Sequence, residues 1–212
     1  MQWLASVAPA AAAAARSISA PQPARPEEES GLEHAGERRL SEFRAGRAAA
    51  RAALEQLGAR GLDHDANLPR RASGAPDWPP GIVGSISHCD DLAVAIVART
   101  SSMAQLGFDI EDAAPLDADL VDRVCRPDEL TGNRSLATAG VDEAKLAFVA
   151  KEAWYKAVCS LGGEILDFRD VAIRLKPQEW SFEIEAPTRF GRPAGRFGLA
   201  DGLLFALAWT PA

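Results

Sequence analysis

Apolar positions along the chain follow two helical stripes and several short β-type runs. Phe43, Ala50, Leu54 and Leu57 share one helix face, which predicts a helix that closes at Gly58 and Gly61. Residues 66–81 carry Pro69, Gly74, Pro76, Pro79, Pro80 and Gly81 and read as a long loop. Ile82–Ile86 and Leu92–Ala98 are apolar runs that suit buried strands, joined through residues 87–91. In residues 106–111 the alternation is clean: Leu106, Phe108 and Ile110 fall on one face, and Gly107, Asp109 and Glu111 on the other. After a stretch of loop and short helix over 112–140, Asp142 stands where it can cap a helix running to Leu161, stopped by Gly162 and Gly163. Leu146, Val149, Ala150, Ala153 and Ala157 make the apolar stripe of that helix. Further strands are expected near 170–175, 180–185, 195–199 and 202–209. Helix then strands, twice over, predicts an α+β protein of two similar halves, 27–105 and 106–212. Residues 1–26 are alanine-rich at first and close on Pro21, Pro23 and Pro26. They read as a poorly ordered tail, because no basic residue precedes the apolar run as a secretory signal requires.

Composition narrows the function. With 23 Lys and Arg against 30 Asp and Glu, the net charge of −7 argues against a general nucleic-acid binder, so any anionic ligand needs a local basic patch. There is no apolar run long enough to span a bilayer. Cys89, Cys125 and Cys159 form no CxxC pair and read as reduced thiols of a cytoplasmic protein.

Four groups of residues carry candidate chemistry. Asp109 and Glu111, two apart on a strand, point to the same side, and their repulsion invites a hard divalent cation such as Mg²⁺; a solvated strand face is the alternative. Asp112 reads as a turn residue rather than a ligand. In Lys151-Glu152-Ala153-Trp154-Tyr155-Lys156, Glu152 and Lys156 are helical neighbours about 40° apart around the axis. They would make either a surface ion pair or a third carboxylate for the metal plus a cation for a phosphate. Ser87 and His88, where a strand meets a loop, can hydrogen-bond a phosphate. Arg38, Arg39, Arg44, Arg47 and Arg51, with Arg70 and Arg71 in the loop, form the densest positive region, and guanidinium forks suit phosphate oxygens. No P-loop, GxGxxG, HExxH or G-x-S-x-G pattern occurs, which argues against nucleotide-triphosphatase, dinucleotide, zinc-protease and serine-hydrolase chemistry.

Four blocks, in order, resemble a known family. They are Glu42–Arg47 with Ala50-Arg51; Trp78-Pro79 leading to Gly84–Cys89; Gly107–Glu111; and Lys151–Lys156. Together they are similar to the 4′-phosphopantetheinyl transferases of the larger, pseudo-dimeric type, in the manner of enterobactin-synthetase component D. The resemblance runs from about Arg38 to Lys156, and more loosely to Trp209. It implies two α/β halves about a pseudo-twofold axis with the active site in the cleft between them. It implies Mg²⁺ held by Asp109, Glu111 and Glu152, Lys156 at the diphosphate, and Arg39, Arg47, Arg70, Ser87 and His88 at the phosphates of coenzyme A. The implied reaction moves phosphopantetheine from coenzyme A to a serine of an apo acyl, peptidyl or aryl carrier protein and releases adenosine 3′,5′-bisphosphate. Asp109, Glu152 and Lys156 are the catalytic candidates, with Glu152 as base, metal ligand or both. A monomer in the cytoplasm is expected. Ala75 departs from the charged residue that many relatives carry between Gly74 and Pro76, and the segment before residue 37 is short for the family. Two other functions fit the same residues: a Mg²⁺-dependent diphosphate hydrolase, and a non-catalytic coenzyme A-binding protein.

Overall fold

A computed structural model describes residues 8–58, 67–159, 166–187 and 193–212. The readings for Gly61, Leu161, Gly162 and Gly163, and for the side chain of Cys159, lie outside the described residues. Two compact units divide the chain, Met1–Ala104 with Ala212, and Gln105–Pro211. Each holds a long helix against a sheet, so the fold is α+β.

In the first unit a helix α1 (Glu37–Gln56) packs on a three-stranded antiparallel sheet of β1 (Ala11–Ser17), β2 (Ile82–Cys89) and β3 (Leu92–Arg99), in the order β1-β3-β2. Its core is built from small residues: Ala14, Ala49, Ala50, Ala53, Ala95 and Val97 pack around Leu54, Leu68 and Ile82. Alanine on both surfaces brings the helix backbone near the sheet. Gly46 belongs to this contact, since a Cβ there would stand 2.9 Å from Cγ2 of Ile86. The helix ends at Leu57, and Gly58 follows at φ +63°, the left-handed cap glycine adopts without strain.

Strand β1 corrects the sequence reading. Residues 11–17, expected within a tail, pair antiparallel with β3 from Ala11 opposite Ala98 to Ser17 opposite Leu92. Alanine favours helix in isolation, but tertiary context overrides so weak a preference when a partner edge and an apolar helix face are both at hand. A polar clasp fixes the strand end: the Ser17 hydroxyl donates to Asp91 at 2.6 Å and the Ser19 amide donates to the other oxygen at 2.6 Å. β2 also runs further than expected, to Cys89, with a tight turn at Asp90 (φ +52°). Ser87 and His88 therefore sit on the strand and not in a loop.

The second unit has a five-stranded sheet in the order β4-β8-β7-β6-β5, made from β4 (Met103–Asp112), β5 (Ala172–Lys176), β6 (Ser181–Glu185), β7 (Ala194–Ala200) and β8 (Leu203–Pro211). Short helices α2 (Ala118–Val124) and α3 (Arg134–Thr138) precede the long helix α4 (Glu143–Cys159), which packs on β8. Asp142 caps α4 as expected, accepting from the Lys145 amide at 2.8 Å. Leu146, Val149, Ala150, Ala153 and Ala157 are all fully buried, in one core with Trp154, Ile173, Phe197 and Leu204.

Lys151 lies in that interior with no exposed surface. Its ammonium donates to Glu129 at 2.7 Å, to the Val124 carbonyl at 2.8 Å and to the Phe168 carbonyl at 3.0 Å, which uses all three N–H groups. Glu129 in turn accepts from the amides of Arg126 and Ile173, each at 2.6 Å. This saturated pair ties the end of α2, the 3₁₀ turns at 127–129 and 168–170, and the start of β5 to α4.

No helix among the described residues is long and apolar enough to cross a membrane.

Candidate functional site

The acidic site begins with a glycine. A Cβ on Gly107 would lie 1.9 Å from the Ala153 carbonyl oxygen and 2.4 Å from the Ala157 nitrogen. Only a residue without a side chain lets β4 press this closely on the backbone of α4. The face of β4 that alternation leaves polar is thus covered by the helix rather than by water, and Asp109 is only 3% exposed. Two residues past the glycine, Oδ1 of Asp109 accepts from the Lys156 ammonium at 2.6 Å.

Around this pair the strand and the helix bring acids together. Burial pushes Glu152 above the ordinary carboxylate range, the negative charges of Asp109 and Glu111 push it further, and Lys156 opposes them. Glu111 is likewise raised, first by burial and then by Asp109, against the pull of Lys145. Asp109, Glu111 and Glu152 therefore form one electrostatic group, within which each ionised carboxylate disfavours the next. Carboxylate oxygens are hard donors of the type that Mg²⁺ takes, so the donor chemistry of these residues suits that ion. Asp112, expected as a turn residue, is instead the last residue of β4, and its Oδ1 accepts from the Ala114 amide at 2.8 Å.

The first unit assembles a site of opposite sign. Nη1 of Arg39 lies 3.4 Å from Nε2 of His88, and both face Glu42, at 3.6 Å and 3.8 Å respectively. Arg47 is buried: Nε donates to the Leu68 carbonyl at 2.8 Å, its guanidinium lies 4.5 Å from the centre of the Phe43 ring, and its Nη2 meets no acceptor among the described residues. Burial lowers its pKa to about 10. The charge of Glu28 resists this, while Arg70, Arg51 and Arg39 repel and lower it further. Arg70 is half-buried, and Ser87 is buried within β2.

Four features escaped the sequence. Lys145 is nearly buried beside Glu111, and nothing in a helical Lys at that position signals it. Glu42 sits between Arg39 and His88. Lys151, a neighbour of Glu152 in the same block, is structural, and its carboxylate partner lies 22 residues away in the chain. Glu28, which salt-bridges Arg51 at 2.8 Å and accepts from the Leu68 amide at 2.8 Å, is the counterpart in the first unit.

Fold and side-chain grouping together define a two-unit α+β protein with a carboxylate–lysine cluster in one unit and an arginine–histidine cluster in the other. Comparison with known proteins gives the class a family. Residues 27–98 match the 4′-phosphopantetheinyl transferase N-terminal domain, and residues 105–192 match the 4′-phosphopantetheinyl transferase superfamily. The chain is 36% identical over 189 residues to 4′-phosphopantetheinyl transferase Svp of Streptomyces mobaraensis, covering 84% of this chain and 75% of the relative. To 4′-phosphopantetheinyl transferase PptT of Mycobacterium tuberculosis it is 32% identical over 177 residues, 84% of this chain and 73% of the relative. To enterobactin synthase component D of Escherichia coli it is 36% identical over 131 residues, 59% of this chain and 58% of the relative. The chain belongs to the 4′-phosphopantetheinyl transferase superfamily.

Proposed function

We propose that this protein transfers the 4′-phosphopantetheine arm of coenzyme A to a serine of an apo carrier protein, in the manner of a holo-[acyl-carrier-protein] synthase, acting as a monomer in the cytoplasm. The observation that carries the reading is the group of Asp109, Glu111 and Glu152 around the Asp109–Lys156 ion pair. Asp109, Glu111 and Glu152 would hold Mg²⁺. The ion would supply charge neutralisation on the diphosphate, which phosphoryl transfer demands more than covalent help.

In the reaction the serine oxygen forms a bond to the phosphorus that carries pantetheine. The bond from that phosphorus to the bridging diphosphate oxygen breaks, and its electron pair leaves on that oxygen with adenosine 3′,5′-bisphosphate. Glu152 takes the serine proton, directly or through a water. Lys156 adds positive charge beside the diphosphate. Arg39, Arg47, Arg70, Ser87 and His88 would bind the phosphates of coenzyme A, with the buried Nη2 of Arg47 as one donor.

Mass spectrometry of apo acyl, peptidyl and aryl carriers incubated with coenzyme A and Mg²⁺ tests this. One added phosphopantetheine per carrier is the expected result. Adenosine bisphosphate released with the carrier unmodified would mean a hydrolase, and coenzyme A binding without turnover a non-catalytic binder; either overturns the proposal.

A further inference from the structure

Lys145 is 7% exposed in the first turn of α4, where both burial and the positive end of the helix dipole disfavour a cation. Its ammonium stands 3.3 Å from Oε2 of Glu111 and 3.7 Å from Oδ1 of Asp112. Asp142, the other carboxylate nearby, accepts from the amides of Lys145 and Leu116 and so answers the helix terminus rather than the ammonium. Within the second unit the cluster then holds four carboxylates, Asp109, Glu111, Asp112 and Glu152, against two ammoniums, Lys145 and Lys156. With the carboxylates ionised, as metal ligands must be, four negative and two positive charges sum to −2, the complement of one divalent cation.

We infer that Lys145 is a positioning residue that sets the charge of the cation site: it pins Glu111 by one oxygen and holds the group at −2, so that a single divalent ion binds with moderate affinity. Asp112 contributes by anchoring the ammonium on its outer side. Removing the ammonium leaves −3, and affinity in such sites follows ligand charge count. A neutral side chain of similar length then raises affinity for divalent ions and raises it more for a trivalent ion of like size, because the attraction scales with the product of charges. The inference rests on the metal reading of Asp109, Glu111 and Glu152.

The test is metal binding to the full chain, without substrate. Mn²⁺, read by electron paramagnetic resonance, and a lanthanide ion, read by calorimetry, are titrated into wild type, Lys145→Met and Lys145→Arg. Lys145→Met is expected to bind Mn²⁺ roughly tenfold tighter or more, and the lanthanide tighter still. Lys145→Arg, which keeps the charge, returns to the wild-type value. Circular dichroism spectra and melting curves show that each variant is folded; if Lys145→Met fails to fold, Lys145→Gln takes its place. Wild type that binds no Mn²⁺ overturns the metal reading and this inference with it. Wild type that binds while the neutral variant binds equally or more weakly overturns the role of Lys145 alone.

Discussion

The two units carry clusters of opposite sign, arginines in the first and carboxylates in the second, and in each the like charges perturb one another. In the first, Arg39, Arg51 and Arg70 add their repulsion to the burial that lowers the pKa of Arg47, and Glu28 answers only part of it. In the second, Asp109 adds its repulsion to the burial that raises Glu111 and Glu152, and Lys145 and Lys156 answer only part of that. Stability alone does not assemble such groups, since a protein gains more from paired charges or from none. Both units also show what a purely structural ion pair looks like: Glu28–Arg51 in one, Glu129–Lys151 in the other, each buried and hydrogen-bonded on both sides. Lys151 and Glu152 are adjacent in sequence, yet one is saturated and the other is repelled by its neighbours. Like-charge repulsion, added to burial, sets Glu152 apart from the hydrogen-bonded Lys151 beside it.

Glu152→Gln or Asp109→Asn should break the acidic cluster most severely. Carrier modification is expected to fall by about 100-fold or more; the melting temperature should be unchanged or raised in Glu152→Gln, which removes a repelling charge, and lowered in Asp109→Asn, which breaks the buried ion pair with Lys156. Undiminished turnover would remove these residues from the machinery. Lys151→Met, one residue away, should do the reverse. It strands the Glu129 carboxylate in the interior and costs about 3–5 kcal/mol of stability in chemical denaturation, while the protein that remains folded keeps its Mg²⁺ affinity.

The basic cluster is sharpened by a pair of variants. Arg39→Ala, at an exposed side chain, should raise the KM for coenzyme A with no loss of stability. Arg47→Ala should raise that KM about tenfold or more and also destabilise by about 1–3 kcal/mol, because the buried Leu68 carbonyl loses its donor. Equal effects of either variant on the KM for the carrier would take the cluster out of the nucleotide site.

The smallest effect is a pH dependence. Glu111 and Glu152 are raised in the fold, so their contribution favours the folded state fully only below the unfolded carboxylate pKa and is lost as pH rises through the folded values. Metal-free protein should therefore lose melting temperature from mildly acidic to neutral pH. Mg²⁺ should offset that loss, stabilising by up to about 2.7 kcal/mol at a hundred times its Kd, and by less in acid, where protons compete. Stabilisation independent of pH would detach the ion from these carboxylates.

Much of the site was legible because its geometry is local. Asp109 and Glu111 are two apart on a strand, Glu152 and Lys156 four apart on a helix, and periodicity alone gives each pair its shared side. The choice of partner was not legible. Lys156 bonds Asp109, 47 residues distant, and Gly107 reads as an ordinary strand glycine until α4 lies against it.

The sequence by itself determined the two long helices, the cap at Asp142, the apolar stripe of α4 and the residues able to meet a cation or a phosphate, because short-range spacing and side-chain chemistry encode them. Tertiary structure alone decided that alanines 11–15 form a strand, that the polar face of β4 is covered, that Arg47 is buried and that Lys145 stands among acids. Those outcomes depend on which surfaces meet, and the cost of desolvating a charge is set by neighbours in space, as Lys156 is for Asp109 across 47 residues of chain.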